Sequence, residues 1–124
     1  MTSHDTPATP DKASIGNVLY PVANVQAAAE FYEGVFSIAR LFVDGDRYAA
    51  LRAGNVKLAL AGESEQIADV PSASFKVADV RRTLDLVIAS GGEVVRGPED
   101  GPHEVRAAAR DPWGNVFIVY GPLP

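Results

Sequence analysis

The chain repeats itself, and the repeat limits what it can fold into. Pro21-Val22-Ala23-Asn24-Val25 is echoed by Phe75-Lys76-Val77-Ala78-Asp79-Val80, which sets Asn24 and Asp79 55 residues apart. Each copy follows a short strand-like run, Ile15 to Val22 and Ala73 to Val77, and each opens a helical pattern. In the first, Val25, Ala28, Ala29, Phe31, Tyr32, Val35 and Phe36 recur at helical spacing and read as a core-facing stripe; in the second, Val80, Leu84, Val87 and Ile88 do so. Asn24 and Asp79 suit helix N-caps, because a short side-chain acceptor satisfies an otherwise orphaned helix N–H. Gly34 and the pair Gly91-Gly92 are placed to end the helices.

Strand signals follow each helix. The first half offers Ala39–Val43, an Asp44-Gly45-Asp46 turn, Arg47–Arg52, an Ala53-Gly54-Asn55 turn and Val56–Ala61. The second offers Glu93–Arg96, a Gly/Pro-rich loop from Gly97 to Pro102, Glu104–Arg110, the turn Asp111-Pro112-Trp113-Gly114-Asn115 and Val116–Tyr120. Gly54-Asn55-Val56 and Gly114-Asn115-Val116 match at an offset of 60. Both halves therefore read βαβββ, joined by a polar link, Gly62–Pro71. One half has too few large side chains to stand alone. Two can merge their strands into one curved sheet, with helices on the outer face and a cup inside. The expectation is an α+β chain with module one over residues 14–62, module two over 70–122, a single domain over 14–124 and a disordered tail over 1–13.

Charge and composition remove several classes of function. Eleven basic against sixteen acidic residues give a net charge of −5, which argues against nucleic acid as a main partner. There is no cysteine, so no disulfide framework or cysteine nucleophile, and only two histidines, His4 and His103. No apolar run is long enough to span a membrane and residues 1–13 lack the apolar stretch of a signal peptide, so the expected location is the cytoplasm. No Ser/His/Asp set and no Gly-rich phosphate loop occurs.

The βαβββ repeat, the Val-Ala-Asn/Asp-Val helix starts, the Phe31-Tyr32 pair and the closing Asp-Pro-Trp-Gly-Asn hairpin resemble the vicinal oxygen chelate superfamily over about residues 14–122. That superfamily includes glyoxalase I, extradiol dioxygenases, fosfomycin-resistance enzymes and bleomycin-resistance proteins. The resemblance implies a divalent ion on the inner sheet face, held from the first strand of each half and the last strand of the second. The corresponding positions are Asn17, Ser72 and Ile118, with Leu58 as the first-half counterpart of Ile118. Amide, hydroxyl and aliphatic groups are not a divalent-metal set. The chain therefore resembles a metal-free, bleomycin-resistance-like branch, with no metal and no cofactor expected.

Strand alternation then fills the cup. It turns Asn17, Leu19, Ser72, Ser74, Lys76, Val56, Leu58, Leu60, Val116, Ile118 and Tyr120 inward, and Val18, Tyr20, Val22, Ala73, Phe75, Val77, Phe117 and Val119 toward the helices. The candidate ligand-binding set is Asn17, Leu19, Tyr48, Leu58, Ser72, Ser74, His103, Trp113 and Ile118. Trp113, in its turn, either stacks on a planar ligand or caps the hydrophobic edge of the hairpin. His103, beside Glu104, is either an acid-base group or a solvated loop histidine, and Tyr48 either lines the cup or is an ordinary strand residue. The pairs Glu63/Glu65 and Glu99/Asp100 read as solvated loop carboxylates, and Arg81, Arg82, Arg96, Arg106 and Arg110 either as surface ion-pair partners or as a different electrostatic face on the second half. Three functions compete. The first is a homodimeric binding protein that sequesters a small molecule such as a cationic or planar antibiotic. The second is a metal-independent lyase or isomerase using His103, Glu104 or Tyr48. The third is an accessory protein with a vestigial cup.

Overall fold

The structure, a computed structural model, describes residues 12–124. All but the end of the expected N-terminal tail lies outside the described residues. Eight strands and two helices follow in the order β1 (Ser14–Pro21), α1 (Val25–Phe36), β2 (Ala39–Asp44), β3 (Tyr48–Ala53), β4 (Val56–Ala61), β5 (Ser72–Lys76), α2 (Val80–Ala89), β6 (Glu93–Asp100), β7 (Glu104–Arg110) and β8 (Val116–Pro122). They form one mixed sheet in the order β2-β3-β4-β1-β5-β8-β7-β6. Within each half the first and last strands run parallel, β1 with β4 and β5 with β8. The halves join through the antiparallel pair β1–β5, in which Val18 faces Ala73.

The predicted caps form. The Asn24 side chain accepts from the Ala27 N–H at 2.9 Å, and Asp79 accepts from the Arg82 N–H at 3.0 Å. Each supplies one of the acceptors that a helix start lacks. The helix ends differ from each other. Gly91, at φ +95, takes the left-handed conformation just after α2, whereas Gly34 lies inside α1 and Ser37, at φ 56, closes that helix.

Both helices cover the same face of the sheet. Val25 and Ala29 of α1 pack on Ala49, Leu51 and Leu60, with Tyr20, Val22, Tyr32 and Leu58 alongside. Val80 and Leu84 of α2 pack on Val105, Ala107, Ala109 and Val119, with Phe117 and Val77 alongside. Leu51 and Leu60 are fully buried, and each contributes about 1.5–3 kcal/mol by leaving water. A third cluster, Leu19, Ala59, Ala61, Ile67, Ala68, Ala108 and Ile118, lies on the opposite face. Ile67 and Ala68 come from the link between the halves, which therefore carries apolar groups into the interior and does not simply pass over the surface.

Three expectations are corrected. The β6 strand runs on to Asp100, so the connection to β7 is only residues 101–103 and not a loop from Gly97. Phe31 and Phe36 are 57% and 61% exposed, so the aromatic stripe of α1 is not core apart from half-buried Tyr32. A single helix resting on a sheet offers the strands only a narrow arc, which the smaller Val25 and Ala29 occupy.

The last correction concerns β4. Leu58 and Leu60 face α1 and not the cup, and Ala59 and Ala61 take the inner face. The reason lies in the turns. Leu19 pairs with Ala59 and Ser74 with Ile118, so the two last strands correspond at an offset of 59. Ala53 pairs directly with Val56 across a tight turn, whereas Arg110 and Val116 are separated by the five-residue turn Asp111–Asn115. A displacement of one residue turns every side chain to the other face.

Candidate functional site

The free face of the curved sheet forms a cup of about 550 Å³. Its floor is built from the central strands: Asn17 and Leu19 on β1, Ser74 on β5, Ile118 on β8 and Ala50 on β3, with Ile67 from the link. Tyr48 and Phe42 stand on one wall, their ring centroids 5.6 Å apart. Tyr120, Glu104 and Arg106 come from the opposite half, and Gly101 to His103 contribute an edge.

Two polar groups on this floor lack partners. Asn17 and Ser74 face each other across the β1–β5 seam. Asn17 Oδ1 and Ser74 Oγ are buried and make no hydrogen bond within the described residues, and Ser74 is only 2% exposed. A buried polar group without a partner costs about 1–3 kcal/mol, and here both sit beside Leu19 and Ile118.

Beside Asn17 the β1–β5 register slips between Ile15 and Asn17, at Gly16. A Cβ on Gly16 would lie 1.7 Å from the Tyr120 hydroxyl. The absent side chain is what lets Tyr120 lean across β5 and reach β1.

The wall is electrostatically uneven. Burial pushes the Glu104 carboxyl above its ordinary value, against the opposing pull of Arg106 and His103. Burial also raises the Tyr48 and Tyr120 phenols, and the charge on Glu104 raises both further. Tyr48 and Glu104, from different halves, thus sense each other across the cup. Arg106 is held by donating to the Glu65 carbonyl at 3.0 Å, and Arg47 bonds the Glu65 carboxylate at 3.2 Å.

The expected site residues therefore divide. Asn17, Leu19, Tyr48, Ser74, His103, Glu104 and Ile118 line one cup. Leu58 does not, for the reason of register given above. Ser72 is buried and donates to the Val70 carbonyl at 2.9 Å, outside the cup lining. Trp113 is 84% exposed and lies outside the cup lining. It neither lines the cup nor caps a hydrophobic edge, and its turn is tied by Asp111, which accepts from the Trp113 and Asn115 backbone N–H groups. Lining residues not assigned to the site from sequence include Gly16, Phe42, Lys57, Ile67 and Arg106, the last read there only for its charge. For Arg106 the signal was present, since it pairs with Tyr120, which alternation had already turned inward.

The superfamily's divalent ion does not fit this floor. The donors at the relevant level are one amide oxygen and one hydroxyl, among Leu19, Ala59 and Ile118. Two neutral oxygens do not replace the six or more ligands that a hard cation requires. No group of three or more His, Cys, Asp or Glu side chains suited to a metal occurs among the described residues.

Comparison with known proteins agrees with this architecture. A family model of the Glyoxalase/Bleomycin resistance protein/Dioxygenase superfamily matches residues 14–119. An uncharacterised protein of Mycolicibacterium smegmatis is 37% identical over 108 residues, covering 86% of this chain and 91% of its own. Among solved structures, one described as an NAD-dependent benzaldehyde dehydrogenase from Legionella pneumophila superposes with a TM-score of 0.73 at 17% identity, over 86% of this chain and 97% of that one. A Streptomyces coelicolor methylmalonyl-CoA epimerase variant, in complex with 2-nitronate-propionyl-CoA, gives 0.67 at 15% identity, over 89% and 97%. At such identities the structural likeness speaks for the fold alone. The family match over most of the chain and the Mycolicibacterium relative go further: the chain belongs to the glyoxalase/bleomycin resistance protein/dioxygenase superfamily.

Proposed function

We propose that this is a metal-independent small-molecule binding protein that holds a planar antibiotic or related aromatic metabolite in its cup. The observation that carries the reading is the pair Asn17 Oδ1 and Ser74 Oγ, buried and unpartnered on an apolar floor. A ligand that lays a flat body on Leu19 and Ile118 and hydrogen-bonds this pair relieves the cost of leaving them unpaired. Phe42 and Tyr48 offer ring faces on the wall. As part of the same reading we propose a homodimer, supported by the exposed Phe31, Val35 and Phe36 on α1.

The test is a thermal-shift screen of planar aromatic antibiotics against the wild type and against Asn17→Ala and Ser74→Ala. The expected result is a compound whose stabilisation of the wild type falls by at least about 1 kcal/mol in each variant. Equal stabilisation of all three proteins, or no stabilising compound, overturns the reading.

A second reading is a metal-independent lyase or isomerase. Glu104 favours it: a carboxyl that burial makes hold its proton more tightly, facing the cup with Tyr48 opposite, is placed for proton transfer with a bound ligand. His103 sits beside it at the exposed edge. Turnover that vanishes in Glu104→Gln but survives in Ser74→Ala would favour this second reading over the first.

A further inference from the structure

We propose that the ligand of the cup is an organic anion whose carboxylate, sulfonate or phosphate group is held at a basic end formed by Arg52, Lys57 and Lys76. This rests on the cup being a binding site and adds the charge of what it takes. Lys57 lines the cup and lies on β4 one residue before Leu58, which pairs with Val18, so it is level with Asn17. Arg52 is directly opposite Lys57 on β3, with the same facing as Tyr48 and Ala50. Lys76 follows Ser72 and Ser74 on the inner face of β5, between Ser14 and Tyr120. All three side chains are exposed, Lys57 within the cup lining and Arg52 and Lys76 on the same face just outside it. None makes an ion pair or hydrogen bond among the described residues.

That arrangement is unusual for a chain with net charge −5. Other arginines are matched: Arg40 with Glu33, Arg47 with Glu65, Arg81 with Asp100, Arg96 with Glu99 and Arg110 with Glu93. Like charges directly opposite on neighbouring strands oppose folding, so Arg52 and Lys57 carry a cost that an anion between them removes. Of the carboxylates lining the cup, Asp44 and Glu65 are engaged by Arg47, and Glu104 lies on β7, beyond the Tyr120–Arg106 pair. The charges lining the cup balance, Asp44, Glu65 and Glu104 against Arg47, Lys57 and Arg106, so Arg52 and Lys76 beside it leave this face with a basic excess although the whole chain is acidic. At this range the near charges decide, because distant ones are screened over about 8 Å in physiological salt. The Ser74 hydroxyl is placed to donate to the same anion or to a neighbouring ligand oxygen.

Two probes share one apolar body and differ in charge: 8-anilino-1-naphthalenesulfonate and the neutral N-phenyl-1-naphthylamine. Backbone amide shifts in a two-dimensional NMR titration locate each, and fluorescence gives its affinity. The expected result is that both move the amides of Asn17, Ser74 and Ile118, with the sulfonate bound about tenfold more tightly. The double variant Arg52→Gln/Lys57→Gln then weakens the sulfonate about fivefold and leaves the neutral probe unchanged. Equal affinities unaffected by the double variant overturn the anion proposal while the cup reading stands. So does tighter binding of the cationic 9-aminoacridine at the same amides. If no probe moves those amides, the cup reading fails, and the anion proposal with it.

Discussion

Gly16 and Tyr120 form a contact in which a missing side chain does the positioning. Gly16→Ala places a methyl where the Tyr120 hydroxyl sits. The phenol is the far end of a mobile side chain, so the expected effect is displacement of Tyr120 at a stability cost below about 1.5 kcal/mol, with altered ligand affinity. Removing the hydroxyl in Gly16→Ala/Tyr120→Phe is expected to recover part of that stability in urea unfolding, since the ring carbon behind it still lies 2.8 Å from the new methyl; a double variant no more stable than Gly16→Ala refutes the contact. Glu104 gives a prediction in pH. Its folded carboxyl titrates above the ordinary value of 4.5, so between that value and the raised one the folded chain holds more proton than the unfolded chain. Its contribution to stability therefore falls as pH rises through that window. Glu104→Gln lacks this titration, so its stability relative to wild type is expected to rise with pH above about 4.5 and then level off. Urea unfolding at a series of pH values measures the difference, and a flat difference refutes it.

The caps set the energetics of each element. Asn24→Ala and Asp79→Ala are each expected to cost about 1 kcal/mol, read as a lower thermal midpoint with the sheet otherwise unchanged. Both caps, and the order of strands behind them, were legible because capping and turn chemistry are local. What misled was the parity of β4. The Gly-Asn-Val match aligned sequence letters, but pairing is set by how many residues each turn spends, and a tight turn in one half against a five-residue turn in the other puts Leu58 behind the sheet. The aromatic stripe of α1 misled differently. Helical spacing reports which residues share a face, and the sheet beneath decides how wide a face it buries, which left Phe31 and Phe36 outside. The cup floor was readable at Asn17, Leu19, Ser74 and Ile118 because these strands are regular. The approach of Glu104 to Tyr48 was not, since it depends on the curvature of a sheet eight strands wide.

For the whole molecule, the exposed α1 ridge leads to a prediction about association. Sedimentation equilibrium is expected to return twice the chain mass for the wild type and a single chain mass for Phe31→Asp/Phe36→Asp. A wild type that stays at 13.1 kDa at high concentration refutes the dimer. No helix among the described residues is long and apolar enough to cross a membrane. The seam between the halves has a further consequence. Asn17 belongs to the first repeat and Ser74 to the second, and they meet only where β1 pairs with β5. The pair is therefore a property of assembly that neither repeat carries alone. Two peptides cut within residues 63–66 would each be blind to ligand, and mixing them should create the binding pair together with the sheet. The binding pair thus comes with association of the two halves and needs no covalent link between them.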